Sequence, residues 1–346
     1  MPTLFGRAAG PTIVAKGTEE IGRRPHDNLV DTQNPGEVNR PSGRRWLLSG
    51  VAVVLLAAMA AYVSKRHEEL AYFQRLSASV LIITLFFQFL SQLFFNGAML
   101  VPLQIHVKGL GFWEFFMVRT GGLLIGNILP VAGGVAVRLA YLRGRGLTYA
   151  DFAWATLLSN VLALGAAAAL AVVAVGVLWM VAGTPPILVL GLSAGLLALS
   201  VATLAAVQLT PRMAGQGRLQ NWRWLSGSSG FKVSRRTITS VFSLSLARHC
   251  LNFATFGLLY QSLNRLPGDF LAGGLVYALT SPLRMVNITP GNLGVNEWAV
   301  ALVGKLVAFD VTTGLIVAVV FRGIAVSAQG LGALLGLGWL ALWSKP

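Results

Sequence analysis

Apolar segments of 18 or more residues recur along this chain, each long enough to cross a hydrocarbon core of about 30 Å as an α-helix. With 55% hydrophobic and only 11% charged residues, and a mean hydropathy of +0.68, the protein has too little polar surface to face water on all sides, since a soluble domain carries roughly 25% charge. The reading that follows is an all-α polytopic membrane protein. Full spans are expected at about residues 46–63, 76–101, 150–181, 187–209, 239–263 and 313–343, six in all. Thr148, with Asp151 three residues on, forms a capping-box-like start to the third of these.

Two further apolar regions, about 115–142 and 270–309, are interrupted. The first contains "NILPVAGGV" from Asn127 to Val135, and the second "NITPGNLGV" from Asn287 to Val295, the two matching in register at Asn, Ile, Pro, Gly and Val. A proline in a helix interior removes a backbone hydrogen bond and clashes with the preceding turn, and glycine lets the backbone turn and neighbours approach. Pro130 and Gly134, then Pro290, Gly291 and Gly294, are therefore the expected structural breaks. Each broken element is either re-entrant or a pair of short half-helices. Taken alone, each proline need only kink a long helix.

Charge constrains the topology. The formal net charge is +15, with seven Lys or Arg residues in the first 45 positions and six from Arg212 to Arg236. Basic loops mark the cytoplasmic side and rest on anionic lipid. Residues 1–45 read as a disordered basic cytoplasmic arm, with no ordinary secretory signal ahead of the first span. Residues 46–343 form one transmembrane domain. With the arm, the Arg143–Arg145 loop and the basic loop 210–238 all inside, the two broken elements enter from opposite faces. Span, broken element, span then occurs at about 76–182 and again, inverted, at about 239–343. Inverted repeats with Gly/Pro-interrupted segments at matching positions mark transporter folds, and the breaks mark the binding site. No recognisable nucleic-acid module accompanies the charge, and the one cysteine, Cys250, excludes an internal disulfide or a multi-cysteine metal site.

Of twelve carboxylates, Glu297 alone is expected at depth in a helix, where a charge costs a few kcal/mol and usually faces a cavity or partner. Glu297, Ala301 and Lys305 share a face by their spacing, so Lys305 is a candidate to neutralise it; the plainer alternative is an interfacial residue at a half-helix end. The basic candidates are Arg119, Arg138, Arg248, Arg284 and Arg322, any of which can instead snorkel to water. Arg138 and Arg284 lie closest to the breaks and are placed to grip a phosphate bidentately. Asn127, Asn287, Asn292 and Asn296 add neutral donors and acceptors, or merely cap freed backbone groups. His249 and Cys250, adjacent on one helix, do not share a face. The GxxxG among the glycines of the last span reads as close helix packing. No set of residues argues for catalysis, a cofactor or a metal.

At "RTGGLLIGNILPVAGGVAVRLAYLRGRGLTYADFAWATLLSN" and "LRMVNITPGNLGVNEWAVALVGK", followed by "VVFRGIAV", the chain resembles the lysylphosphatidylglycerol synthase transmembrane-region family, also called flippase-like membrane proteins. Arg119, Pro130, Gly134 and Arg138 match its first motif. Pro290, Gly291, Gly294 and Glu297, with Arg322 following, match its second and more specific one. The resemblance extends over about residues 46–343. Relatives resembling multiple-resistance factors add a soluble aminoacyl-transferase domain, make aminoacylated phosphatidylglycerol and move it across the bilayer. The sequence stops soon after the last span, so only the translocation half of that analogy is expected here.

The combined expectation is a lipid translocase of a bacterial cytoplasmic membrane, N-terminus inside, with a phosphate-bearing or otherwise anionic lipid headgroup held by Arg138, Arg284, Glu297, Arg119, Arg322, Asn127, Asn287 and Asn292. Two rival readings are a transporter of a small soluble solute and a non-transporting assembly partner of a lipid-modifying enzyme or glycosyltransferase.

Overall fold

A computed structural model of the protein describes residues 73–128, 133–182, 187–214, 234–266, 268–284, 289 and 292–343, together with the isolated helical positions 54, 57 and 61. The expected arm 1–45, almost all of the expected span 46–63, most of the basic loop, and Pro130, Asn287, Pro290 and Gly291 lie outside the described residues, as does the side chain of Asn127.

The described residues form helices and their connections, with no strand. In chain order the helices are α1 (Ala78–Leu103), α2 (Phe112–Ile128), α3 (Gly133–Gly144), α4 (Tyr149–Ala182), α5 (Ile187–Ala214), α6 (Arg235–Asn264), α7 (Asp269–Thr280), a 3₁₀ turn (Ser281–Arg284), α8 (Val295–Leu306) and α9 (Val311–Trp343). Four of them, α1, α4, α5 and α9, are long and apolar enough to cross a membrane. Helix α6 has ample length at 30 residues, but it carries Arg248, His249 and Asn252 in its middle.

Both interrupted regions are divided into shorter helices: α2 stops at Ile128 and α3 begins at Gly133, so that Gly134, an expected break, lies within the first turn of α3. Helices α3, α7 and α8 have 12 residues each, about 18 Å at 1.5 Å per residue, and so reach little more than halfway through a bilayer core. Helix α7 gives way to a 3₁₀ turn at Ser281. The chain resumes as α8 only after Asn292 and Gly294, both with positive φ, at 54° and 80°. Gly294 tolerates that conformation because it has no Cβ, and Asn is the side chain best suited to it otherwise. The expected start of α4 is also present: the backbone N–H of Asp151 donates to Thr148 Oγ1 at 3.1 Å, and the Thr148 hydroxyl donates to Asp151 at 2.6 Å.

Helix α1 is built inside out compared with a helix of a water-soluble protein. Ile82 and Phe86 are 67% and 56% exposed, whereas Thr84, Gln88, Ser91, Gln92 and Asn96 are all buried. Such a helix suits lipid outside and a polar interior inside. Its polar face meets α6, where Asn252 Nδ2 donates to Ser91 Oγ at 2.8 Å. Around this seam α4 packs against α6 and α7, and α9 packs against α1 and α2. Aromatic rings of α6, α7, α9 and the connection before α9 fill one core: Phe256, Tyr260, Tyr277, Phe309 and Phe321 lie in tilted or stacked contacts.

Glycines set the closest helix contacts. A Cβ on Gly122 would lie 2.7 Å from the carbonyl oxygen of Gly134, so α2 and α3 meet backbone to backbone. In the last helix Gly332 and Gly336 receive Phe116 and Met117 of α2, the packing role expected of that GxxxG. At Gly314 an added Cβ would lie 2.5 Å from Ala301 Cα. Gly314→Ala is therefore expected to separate α8 from α9 and to destabilise the bundle by about 1–3 kcal/mol. Gly176→Ala, with nothing within 4 Å of the new methyl, should be neutral or stabilise by up to about 1 kcal/mol. Thermal unfolding of the detergent-solubilised variants, compared side by side, checks both.

Candidate functional site

Five arginines from five elements converge on the polar interior. They are Arg119 of α2, Arg138 of α3, Arg248 of α6, Arg284 of the 3₁₀ turn and Arg322 of α9.

Arg119 is 0% exposed. Its Nη1 donates to Gln92 Oε1 at the long distance of 3.5 Å, while its Nε and Nη2 are buried without any hydrogen-bond partner. Those two N–H groups form one edge of the guanidinium fork, the edge that grips a carboxylate or phosphate through two parallel bonds. The flat face of Arg119 lies 3.7 Å from the centre of the Phe95 ring, and Arg248 lies 3.5 Å from the same centre. The quadrupole of one phenyl ring thus serves two cations, a contact worth about 0.5–2 kcal/mol each. Arg138 is half-buried, with Nε on the Gly134 carbonyl at 3.3 Å and Nη1 3.7 Å from Met99 Sδ.

Arg284 sits among three rings, its guanidinium carbon 5.0, 4.8 and 4.7 Å from the centres of Phe256, Tyr277 and Phe321. Its Nε donates to Asn296 Oδ1 at 3.2 Å, and its Nη2 is buried and unpartnered. Beside it His249 is buried, its Nδ1 paired with the Tyr277 hydroxyl at 2.9 Å. Cys250 is exposed, so the two adjacent residues do point apart.

Glu297 is 2% exposed and both of its oxygens are engaged. Oε2 accepts the Gly294 N–H at 2.8 Å, capping α8, and Oε1 accepts Arg322 Nε at 2.5 Å. A carboxylate in the first turn also meets the positive end of the helix dipole. Lys305, the partner its spacing offers, is exposed instead; two helical turns separate the residues, about 12 Å along the axis, and the guanidinium from α9 takes the role. Arg322 Nη2 reaches the Asn292 carbonyl at 3.3 Å, and Asn292 Nδ2 holds the Leu283 carbonyl at 3.2 Å. Asn292 and Arg322 therefore brace the break itself.

Two features went unread in the sequence. The α1 face of Thr84, Gln88, Ser91, Gln92 and Asn96 is buried against the cluster, and Gln88 Oε1 and Asn96 Oδ1 have no partner. Recurrence of Thr84, Gln88, Gln92 and Asn96 every four residues was the available signal. Arg248 stood among the basic candidates but not in the binding set, and only the Phe95 contact reveals its place. Among the described residues, five guanidiniums share this interior with a single carboxylate.

From residue 42 to 332 the sequence matches the family described as lysylphosphatidylglycerol synthase TM region. The chain belongs to that family. Among individual characterised proteins none matches it. In this family member the match takes in both broken elements and all five arginines.

Loss of the Glu297 charge leaves Arg322 without its partner. Glu297→Gln is expected to lower stability by about 3 kcal/mol, the lower end for breaking a buried pair, because Arg322 keeps 26% of its side chain accessible. Adding Arg322→Met should recover part of that loss, and thermal melting of the single and double variants distinguishes pairing from simple capping.

Proposed function

We propose that this protein moves a phosphate-bearing lipid between leaflets, holding the headgroup in the basic interior while the acyl chains stay in the bilayer. The observation that carries this reading is the surplus of buried positive charge, centred on the open fork of Arg119. A cation taken out of water without a partner costs several kcal/mol, and an anionic headgroup is the natural occupant that offsets it. Half-buried Arg138, Arg248 and Arg284 rim the same interior, and Asn296 accepts from Arg284 while Asn292 holds the Leu283 carbonyl. Lowering the cost of bringing a charged headgroup to bilayer depth is the physical task of a lipid translocase.

Membership in a membrane family named for a lipid synthase supports a lipid-related role. The architecture supports an inverted repeat, α1–α4 against α6–α9. Packing is reciprocal: α4 rests on α6 and α7 of the other half, as α9 rests on α1 and α2. In this reading α6 is a full span whose polar residues turn inward, and the N-terminus lies on the cytoplasmic side of a bacterial membrane. Glu297 holds Arg322 until it is protonated or meets a cationic group, which frees Arg322 for the ligand.

The test is lipid movement in liposomes containing the purified protein, with phosphatidylglycerol, aminoacylated phosphatidylglycerol and polyprenyl-phosphate probes. Arg138→Gln, Arg284→Gln and Glu297→Gln, each shown to be folded by size exclusion, are expected to slow movement of the transported class at least tenfold, equivalent to about 1.4 kcal/mol in the limiting step. Unchanged rates in all three would overturn the assignment.

A further inference from the structure

The charge balance of the interior says more about the occupant than that it is anionic. Arg322 is neutralised by Glu297. Among the described residues Arg119, Arg138 and Arg248 have no carboxylate beside them, and Arg284 feels only Glu297, which Arg322 already engages; the groups these four touch are rings, a thioether, two amide oxygens and a backbone carbonyl. Arg119 and Arg248 share the Phe95 ring, so their guanidinium carbons can be no further apart than their two ring distances laid end to end. Met99, which Arg138 approaches, lies one helical turn beyond Phe95 on α1. The first three cations thus gather on one stretch of α1, with Arg284 next in the sequence of charges.

A phosphodiester headgroup brings one negative charge and leaves most of this repulsion in place. A terminal phosphate brings about 1.5–2 charges at neutral pH and three acceptor oxygens, and a diphosphate brings more of both. Oxygen count matters as much as charge, because a diester spends two of its four oxygens on its links. The whole Nε–Nη2 edge of Arg119 and the Nη2 of Arg284 are buried and vacant of hydrogen bonds, which asks for acceptors directed to more than one arginine at once.

We infer that the headgroup bound here carries more than one negative charge on terminal phosphate, as a phosphate monoester or a diphosphate, and is not a singly charged phosphodiester. The inference rests on the lipid reading above and narrows it. Aromatic contact of Arg119, Arg248 and Arg284 keeps the empty site tolerable, since cation–π attraction replaces some of the lost hydration. Arg248 is then a specificity residue: it adds the charge that separates a doubly from a singly ionised phosphate.

The experiment is equilibrium binding to the purified full chain at low salt. It uses phosphatidic acid and phosphatidylglycerol with identical acyl chains, polyprenyl diphosphate, and inorganic pyrophosphate. Phosphatidic acid is expected to bind at least tenfold more tightly than phosphatidylglycerol, with polyprenyl diphosphate at least as tight and pyrophosphate far weaker. In Arg248→Gln, and in Arg138→Gln as a second variant, the preference for phosphatidic acid should fall to about threefold or less. Neither variant should melt below the wild type, because each removes a like charge from a crowded set. Equal binding of phosphatidylglycerol and phosphatidic acid by the wild-type protein would overturn the inference and leave lipid translocation standing. Tight pyrophosphate binding with no lipid bound would support the multiply charged ligand and overturn the lipid reading. Failure of every phosphate probe to bind would overturn both.

Discussion

Among the described residues, five arginines held inside a lipid-facing helical bundle against one carboxylate are the constraint to which the rest of the architecture answers. Water is the usual partner for such groups, and a bilayer interior has little to give. The bundle replaces it with the ring of Phe95 for Arg119 and Arg248, and with Phe256, Tyr277 and Phe321 for Arg284. Buried amides on α1 complete the lining. Rings can hold a cation without neutralising it. That leaves the charge available to a ligand, as a carboxylate beside every arginine would not.

The one carboxylate acts where backbone is most exposed to loss. Chain breaks inside a membrane free N–H and C=O groups that nothing in lipid can satisfy. Glu297 takes the Gly294 N–H, Arg322 takes the Asn292 carbonyl, and Asn292 takes the Leu283 carbonyl. The Glu297–Arg322 pair therefore ties α8 to α9 and closes the second break at the same time. Away from the site a separate network, Glu114 with Tyr141 and Arg145, joins the outer ends of α2 and α3. These surface charges link α2 and α3 without drawing on Arg119 or Arg138.

Much of this was legible from residues alone because bilayer physics leaves few choices. Long uncharged runs must be helices, so α1, α4, α5 and α9 stand close to their expected limits, and the regions expected to be interrupted are divided into shorter helices. Arg119, Arg138, Arg284, Glu297 and Arg322 stood out because a charge in an apolar run needs a reason. Less legible was the face of α1, whose Gln88, Gln92 and Asn96 are ordinary residues until their shared periodicity is weighed. Lys305 shows the opposite failure. Helical spacing put it on the face of Glu297, but α9 brought a nearer cation.

The sequence by itself determined that the chain is helical, where its helices break, which family it belongs to, and which charges are out of place, since each follows from local composition and the cost of burying polar groups. Only the tertiary structure decided the partners. Phe95 holds Arg119 and Arg248 across three helices, Arg322 and not Lys305 answers Glu297, and the side-on edge of Arg119 remains open. Such choices depend on the approach of separate helices, from neighbours in the chain such as α8 and α9 to distant ones such as α1 and α6, set by glycine contacts and helix crossings that no local pattern encodes.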